Sequence, residues 1–127
     1  MPDIADQLAD PGTCVVRLGT DERVSEQLSQ ALRPVDISTF HVLRLPANSD
    51  VELHFHDFDE YWLFIEGTPT ITLRTPSGVT EKFDLGPGDM IACVRGIEHT
   101  LAADHELIYY QYSSTRHEGD RSGHLTR

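Results

Sequence analysis

From Ile37 onward, apolar and polar positions trade places at short range, and turn residues interrupt them at close intervals. The runs Ile37 to Leu45, Val51 to Phe55, Glu60 to Glu66, Thr70 to Arg74, Val79 to Phe83, Met90 to Val94, His99 to Ala102 and Glu106 to Tyr112 are rich in β-branched and aromatic residues. Between them lie Pro46-Ala47-Asn48-Ser49, Gly67-Thr68-Pro69, Pro76-Ser77-Gly78 and Gly86-Pro87-Gly88-Asp89. Many short strands with Gly and Pro punctuation predict an all-β sandwich or barrel over residues 37–113. Ahead of it, Thr13 to Arg17 reads as a short strand. Asp21 to Leu32 reads as a helix, with Val24, Leu28, Ala31 and Leu32 at helical spacing, Thr20 or Asp21 as its cap and Pro34 as its stop. Residues 1–36 are thus an N-terminal extension, and residues 114–127, polar throughout, read as a frayed tail.

Strand parity says which side chains meet. In Val51 to His56, alternation sets Glu52, His54 and His56 on one face and Val51, Leu53 and Phe55 on the other. In the next strand Glu60, Trp62, Phe64 and Glu66 share a face opposite Tyr61, Leu63 and Ile65. Neither strand has a plain solvent face. A wall covered on both sides implies packing outside the barrel by another segment or a second subunit, which points to a homodimer.

Composition narrows the function without naming it. Hydrophobic residues are 39% and charged residues 24% of the 127, as expected of one globular domain with a core. A formal charge of −11 with no basic cluster disfavours nucleic acid and anionic membranes as partners. The first residues lack the basic and apolar parts of a signal peptide, and no apolar run is long enough to span a bilayer. The two cysteines, Cys14 and Cys93, have no paired spacing and read as reduced thiols of a cytoplasmic protein.

Two histidines at i and i+2 on a strand project to one side, so His54 and His56 can hold one ion without distorting the backbone. Glu60, just past the Asp57-Phe58-Asp59 turn, can fold back as a third ligand, and His99 follows one strand and the Arg95-Gly96-Ile97-Glu98 corner as a fourth. Neutral imidazoles with a carboxylate suit several transition metals and choose none.

At this point the chain resembles the cupin superfamily. The family's first motif, G-x5-H-x-H-x(3,4)-E-x6-G, falls on Asn48, His54, His56, Glu60 and Gly67. Its second, G-x5-P-x-G-x2-H-x3-N, falls on Gly88, Val94, Gly96, His99 and Ala103. Asn48, Val94 and Ala103 depart from the pattern at corners rather than at ligands, and asparagine tolerates the left-handed backbone that a glycine would take. The resemblance implies a double-stranded β-helix, a jelly-roll barrel with a short N-terminal helix. It also implies one divalent metal ion (Fe, Mn, Ni or Zn) held by His54, His56, Glu60 and His99.

Around that centre, Trp62, Phe64, Arg44 and Gln111 are the expected pocket residues, and Glu66 and Tyr109 the expected proton carriers. Asp57 and Asp59 are placed either to hold the histidine rings or to make the turn. His105, His117 and His124 fall in turns or the tail and are assigned nothing. The function expected of such a chain is a metal-dependent enzyme acting on a small polar metabolite that chelates the metal, by dioxygenase or isomerase/lyase chemistry. The alternative is a non-catalytic small-molecule binding or sensing cupin, and the chain has no room for a helix-turn-helix.

Overall fold

The structure of the protein is a computed structural model that describes residues 4–20, 24–33 and 37–127. Nine strands form two antiparallel sheets: β1 (Val15–Val16), β2 (Ile37–Leu45), β3 (Ser49–Asp50), β4 (Glu60–Glu66), β5 (Thr70–Arg74), β6 (Thr80–Asp84), β7 (Met90–Cys93), β8 (Glu98–Ala103) and β9 (Leu107–Ser114). One sheet runs in the order β1-β7-β4-β9-β2, the other β3-β8-β5-β6. The chain crosses between the sheets often enough that they close over one another as a jelly roll. Ile71, Leu73, Ile91, Ile97, Leu101 and Leu107, all without solvent exposure, fill the space between them.

The strand predictions hold best where alternation is strict. β2, β4 and β5 have the bounds expected of them. Val51 to Phe55 does not: only β3 pairs conventionally, and His54 and Phe55 make isolated bridges to His99 and Leu125. The segment still keeps its extended course there, with His54 hydrogen-bonded to His99 and Phe55 to Leu125 through the main chain. Asn48 has φ of 59°, the left-handed conformation its place in the motif asks for.

The N-terminal helix is shorter than its apolar spacing suggests. Two 3-10 turns, Ile4–Leu8 and Pro11–Cys14, precede β1, and α1 covers only Glu26–Ala31. Its cap is Ser25, whose hydroxyl accepts from Leu28 N at 3.1 Å, rather than Thr20; Asp21 and the expected stop, Pro34, lie outside the described residues. The extension is part of the barrel: β1 pairs with β7, and Leu8, Cys14 and Leu28 are buried in the common core. No helix among the described residues is long and apolar enough to cross a membrane.

The outer face of the five-stranded sheet is covered only in part. Tyr61 lies under Tyr112, their rings 4.7 Å apart and stacked, while Phe40 and Val42 on β2 are 59% and 60% exposed.

Candidate metal centre

β4 carries Glu60 at its start, and β8 carries His99 against the bridge from His54. His54 N donates to His99 O at 3.2 Å and His99 N to His54 O at 2.8 Å, so the two segments are stitched together at the ligand positions themselves. Gly96 N donates to His56 O at 2.8 Å and fixes the other end. His54 and His56, as their parity requires, point into one space with Glu60 and His99: one nitrogen or oxygen from each lies within 4.8 Å of the others. All four are buried, none more than 5% exposed.

The rings are oriented by backbone carbonyls. Nδ1 of His54 donates to Glu52 O at 2.7 Å, Nδ1 of His56 to Gly123 O at 2.9 Å, and Nδ1 of His99 to Ile97 O at 3.1 Å. A neutral imidazole has one hydrogen, so these bonds leave each Nε2 as a bare lone pair. Glu60 Oε2 sits 2.9 Å from His56 Nε2 and 3.2 Å from His99 Nε2. Neither contact has hydrogen-bond geometry. Among the described residues four buried polar side-chain atoms lack a partner, and three of them are His56 Nε2, His99 Nε2 and Glu60 Oε2. Lone pairs crowded against a carboxylate oxygen in a dry site repel one another unless a cation lies among them. The donor set fits a divalent transition metal on that ground.

Without an ion the charge balance differs from ring to ring. Burial, reinforced by the His99 ring, pulls His54 down to about 4, so it is neutral and ready to coordinate. Burial pushes the Glu60 carboxyl up, but the His56 and His99 rings outweigh that and hold it below the usual carboxylate range. Burial pulls His56 down, but Glu60 more than compensates, and the net direction is upward.

Of the other expected residues, Trp62 and Phe64 face inward at 3% and 1% exposure. The Trp62 ring stands edge-on to His99 at 5.2 Å. Tyr109 is 5% exposed, 6.0 Å from the Trp62 ring, and burial raises its hydroxyl to about 12. Gln111 is half-buried and pairs across from Trp62, on the same face. Glu66 does not join them. A register shift between Phe64 and Glu66 breaks the alternation, and both Ile65 and Glu66 are exposed. Arg44 also faces away: its side chain is 64% exposed and pairs with Glu106 at 2.6 Å. Neither Asp57 nor Asp59 holds a ligand ring. Asp59, fully buried, accepts from Arg33 N, Arg95 N and the Arg95 guanidinium, whereas Asp57 pairs with Arg121.

The C-terminal segment is the part of the site that the sequence does not announce. Rather than fraying, residues 121–127 lie across the centre: Phe55 pairs with Leu125, and the His124 ring stacks on His54 at 4.0 Å and 20°. Arg127 covers the Phe55 ring at 4.0 Å and donates to Gly96 O at 2.9 Å. Arg121 meets Asp57 through Nε at 2.7 Å and Nη2 at 2.8 Å.

No family model matches the chain. It is similar to an uncharacterized protein of Sinorhizobium fredii, 35% identical over 81 residues, a match that spans 63% of this chain and 35% of the relative. Among solved structures it resembles a single-residue variant of Bacillus subtilis oxalate decarboxylase at 24% identity and TM-score 0.54, over 57% of this chain and 20% of that one. Salicylate 1,2-dioxygenase of Pseudaminobacter salicylatoxidans aligns at 17% identity and TM-score 0.53, over 59% and 20%. A conserved Streptococcus pyogenes protein of unknown function aligns at 19% and 0.54, over 61% and 64%. The chain therefore spans about a third of the length of its curated relative, and a quarter or less of the two enzymes. With both sheets, the motif corners and these neighbours in agreement, the chain has the cupin fold.

Proposed function

We propose that this protein is a metal-dependent cupin enzyme that binds a small polar metabolite through oxygen atoms at a single divalent transition metal (Fe, Mn, Ni or Zn). The observation that carries the reading is the convergence of three orphaned atoms, His56 Nε2, His99 Nε2 and Glu60 Oε2, in a buried space. His54, His56, Glu60 and His99 would hold the ion, which supplies Lewis-acid polarisation of a bound oxygen ligand or, as iron, reactivity toward dioxygen. The chain's own contribution is orientation and exclusion of water. The carbonyls of Glu52, Ile97 and Gly123 fix the rings, while Trp62, Phe64 and Tyr109 wall the inner side. A phenol is protonated at neutral pH, and burial raises the Tyr109 hydroxyl further, to about 12, so it would serve a ligand as a hydrogen-bond donor. The Tyr109 ring is 6.0 Å from that of Trp62, which meets His99, whereas Glu66 is exposed beyond the register shift.

Similarity to a salicylate dioxygenase and to oxalate decarboxylases supports oxygenase or lyase chemistry on such a scaffold without choosing between them. Purification without added metal, followed by elemental mass spectrometry of the wild type and of His99→Ala, tests the reading. The expected result is about one transition-metal ion per chain in the wild type and none in the variant. A wild type that stays empty when offered iron, manganese, nickel and zinc rejects it.

A second copy of the chain is part of the same proposal. Phe40 and Val42 form an exposed apolar strip beside Tyr110 and Tyr112 on the outer sheet face, with Phe40 5.5 Å from the Tyr110 ring. Light scattering is expected to return twice the 14.3 kDa chain mass. A mass of one chain at all concentrations dismisses the dimer.

A further inference from the structure

The fourth orphaned atom among the described residues is Trp62 Nε1. It belongs to a side chain 3% exposed, two positions along β4 from Glu60 on the same inward face, with its ring edge-on to His99 at 5.2 Å. A buried N–H without an acceptor costs stability, and a structural tryptophan normally finds one. Nothing about packing requires nitrogen here. Besides His99, the ring meets the aromatic rings of Phe64 and Tyr109, neither of which offers an acceptor for its N–H.

The charge of the centre says what would satisfy it. Three neutral imidazoles and one carboxylate around a divalent ion leave a single net positive charge in a site whose ligands are at most 5% exposed. An uncompensated charge in such surroundings favours an anionic partner. A monoanion with two oxygens, such as a carboxylate, can offer one oxygen to the ion and the other to an N–H beside it, and charge-assisted hydrogen bonds of that kind are strong.

Resting on the metal-centre reading above, we propose that Trp62 Nε1 is the ligand-recognition donor of this site. It selects small carboxylates or similar oxyanions held at the metal, with Gln111, half-buried and paired across from Trp62 on the same face, as a further polar group. The role is directional: the ring packs in the wall, and the N–H reads the ligand.

The chain has one tryptophan, so its emission reports on Trp62 alone. Zinc-loaded protein titrated with sodium acetate at constant ionic strength is followed by that emission and by calorimetry, beside the metal-free protein and zinc-loaded Trp62→Phe. Acetate is expected to shift the emission of the zinc-loaded wild type and not of the metal-free protein. Trp62→Phe is expected to keep its zinc affinity and bind acetate about tenfold more weakly, the effect of losing one hydrogen bond to a charged group. Equal acetate affinity in wild type and variant overturns the proposal. So does an emission that acetate leaves unchanged in the zinc-loaded wild type, a reading that needs no variant to fold. Failure of the wild type to take up zinc instead strikes at the metal centre, and the two failures are read from separate titrations.

Discussion

An imidazole bonded through Nδ1 to a carbonyl has its remaining nitrogen aimed by the backbone, and here three rings are aimed at one point by three carbonyls. Two of these are local. His54 reaches the carbonyl of Glu52 and His99 that of Ile97, each two residues back, so the strand that carries the ring also sets its tautomer. The third, Gly123, comes from the far end of the chain. That division separates what was readable at the residue scale from what was not. His54 and His56 follow from i and i+2 parity, a property of six consecutive residues, and Trp62 and Phe64 from the same rule, whereas Glu60 and His99 are legible only from the motif spacing. Glu66 fails it because the register shift after Phe64 is made by pairing with β9, which leaves no mark on β4's own alternation. Arg44 fails because its partner, Glu106, is near only once β2 and β9 are paired. His124 carries no local signal whatever: a histidine in a polar segment becomes part of a site only through the path of the tail.

At the scale of elements, the turn residues decide whether β4 and β9 can pass each other closely. Gly67 ends β4 with φ of 96°, and a Cβ built there would stand 2.8 Å from the carbonyl oxygen of Glu106 and 3.0 Å from Leu107 Cδ1. The first is backbone and cannot swing aside. Gly67→Ala therefore combines left-handed strain with a main-chain clash and is expected to cost about 1–3 kcal/mol. Denaturant unfolding checks it, and an unchanged midpoint would contradict the close approach. Asn48 is the instructive contrast. It also has positive φ, yet it is exposed and non-glycine, so a corner that the motif assigns to glycine is kept by one of the few side chains that tolerate it well. Both corners were legible from residue type. The short ladder of β3 was not, because Ser49–Asp50 reads as part of a turn, while the β-rich run that follows it makes only single bridges at His54 and Phe55.

Taken as a whole molecule, the barrel is closed over its centre by its C-terminal segment. His54 and His56 are each 4% exposed with residues 121–127 in place: one ring is covered by His124, and the other is bonded to Gly123. The strap is held at both ends, by Arg121 on Asp57 and by Arg127 on Gly96 O, on the Phe55 ring and, at 3.5 Å, on the buried Glu98 carboxylate. Most of its own residues are exposed and it buries little apolar surface, so it has less to lose on opening than the strands of the barrel. On the proposed function, a metabolite would reach these four buried side chains only if something moved, and the strap is the segment that lies over them. A chain ending at Asp120 keeps all four ligands and every named strand while losing the His124 stack and the carbonyl that orients His56. Loaded with cobalt(II) and mixed with excess chelator, it is expected to lose the metal about tenfold or more faster than the full chain, the scale on which outer-sphere contacts act. Paired substitution Arg121→Gln and Arg127→Gln, which leaves Gly123 and His124 in the sequence, is expected to fall between them. If all three release cobalt at one rate with one visible spectrum, the C-terminal segment is a covering without a part in the site.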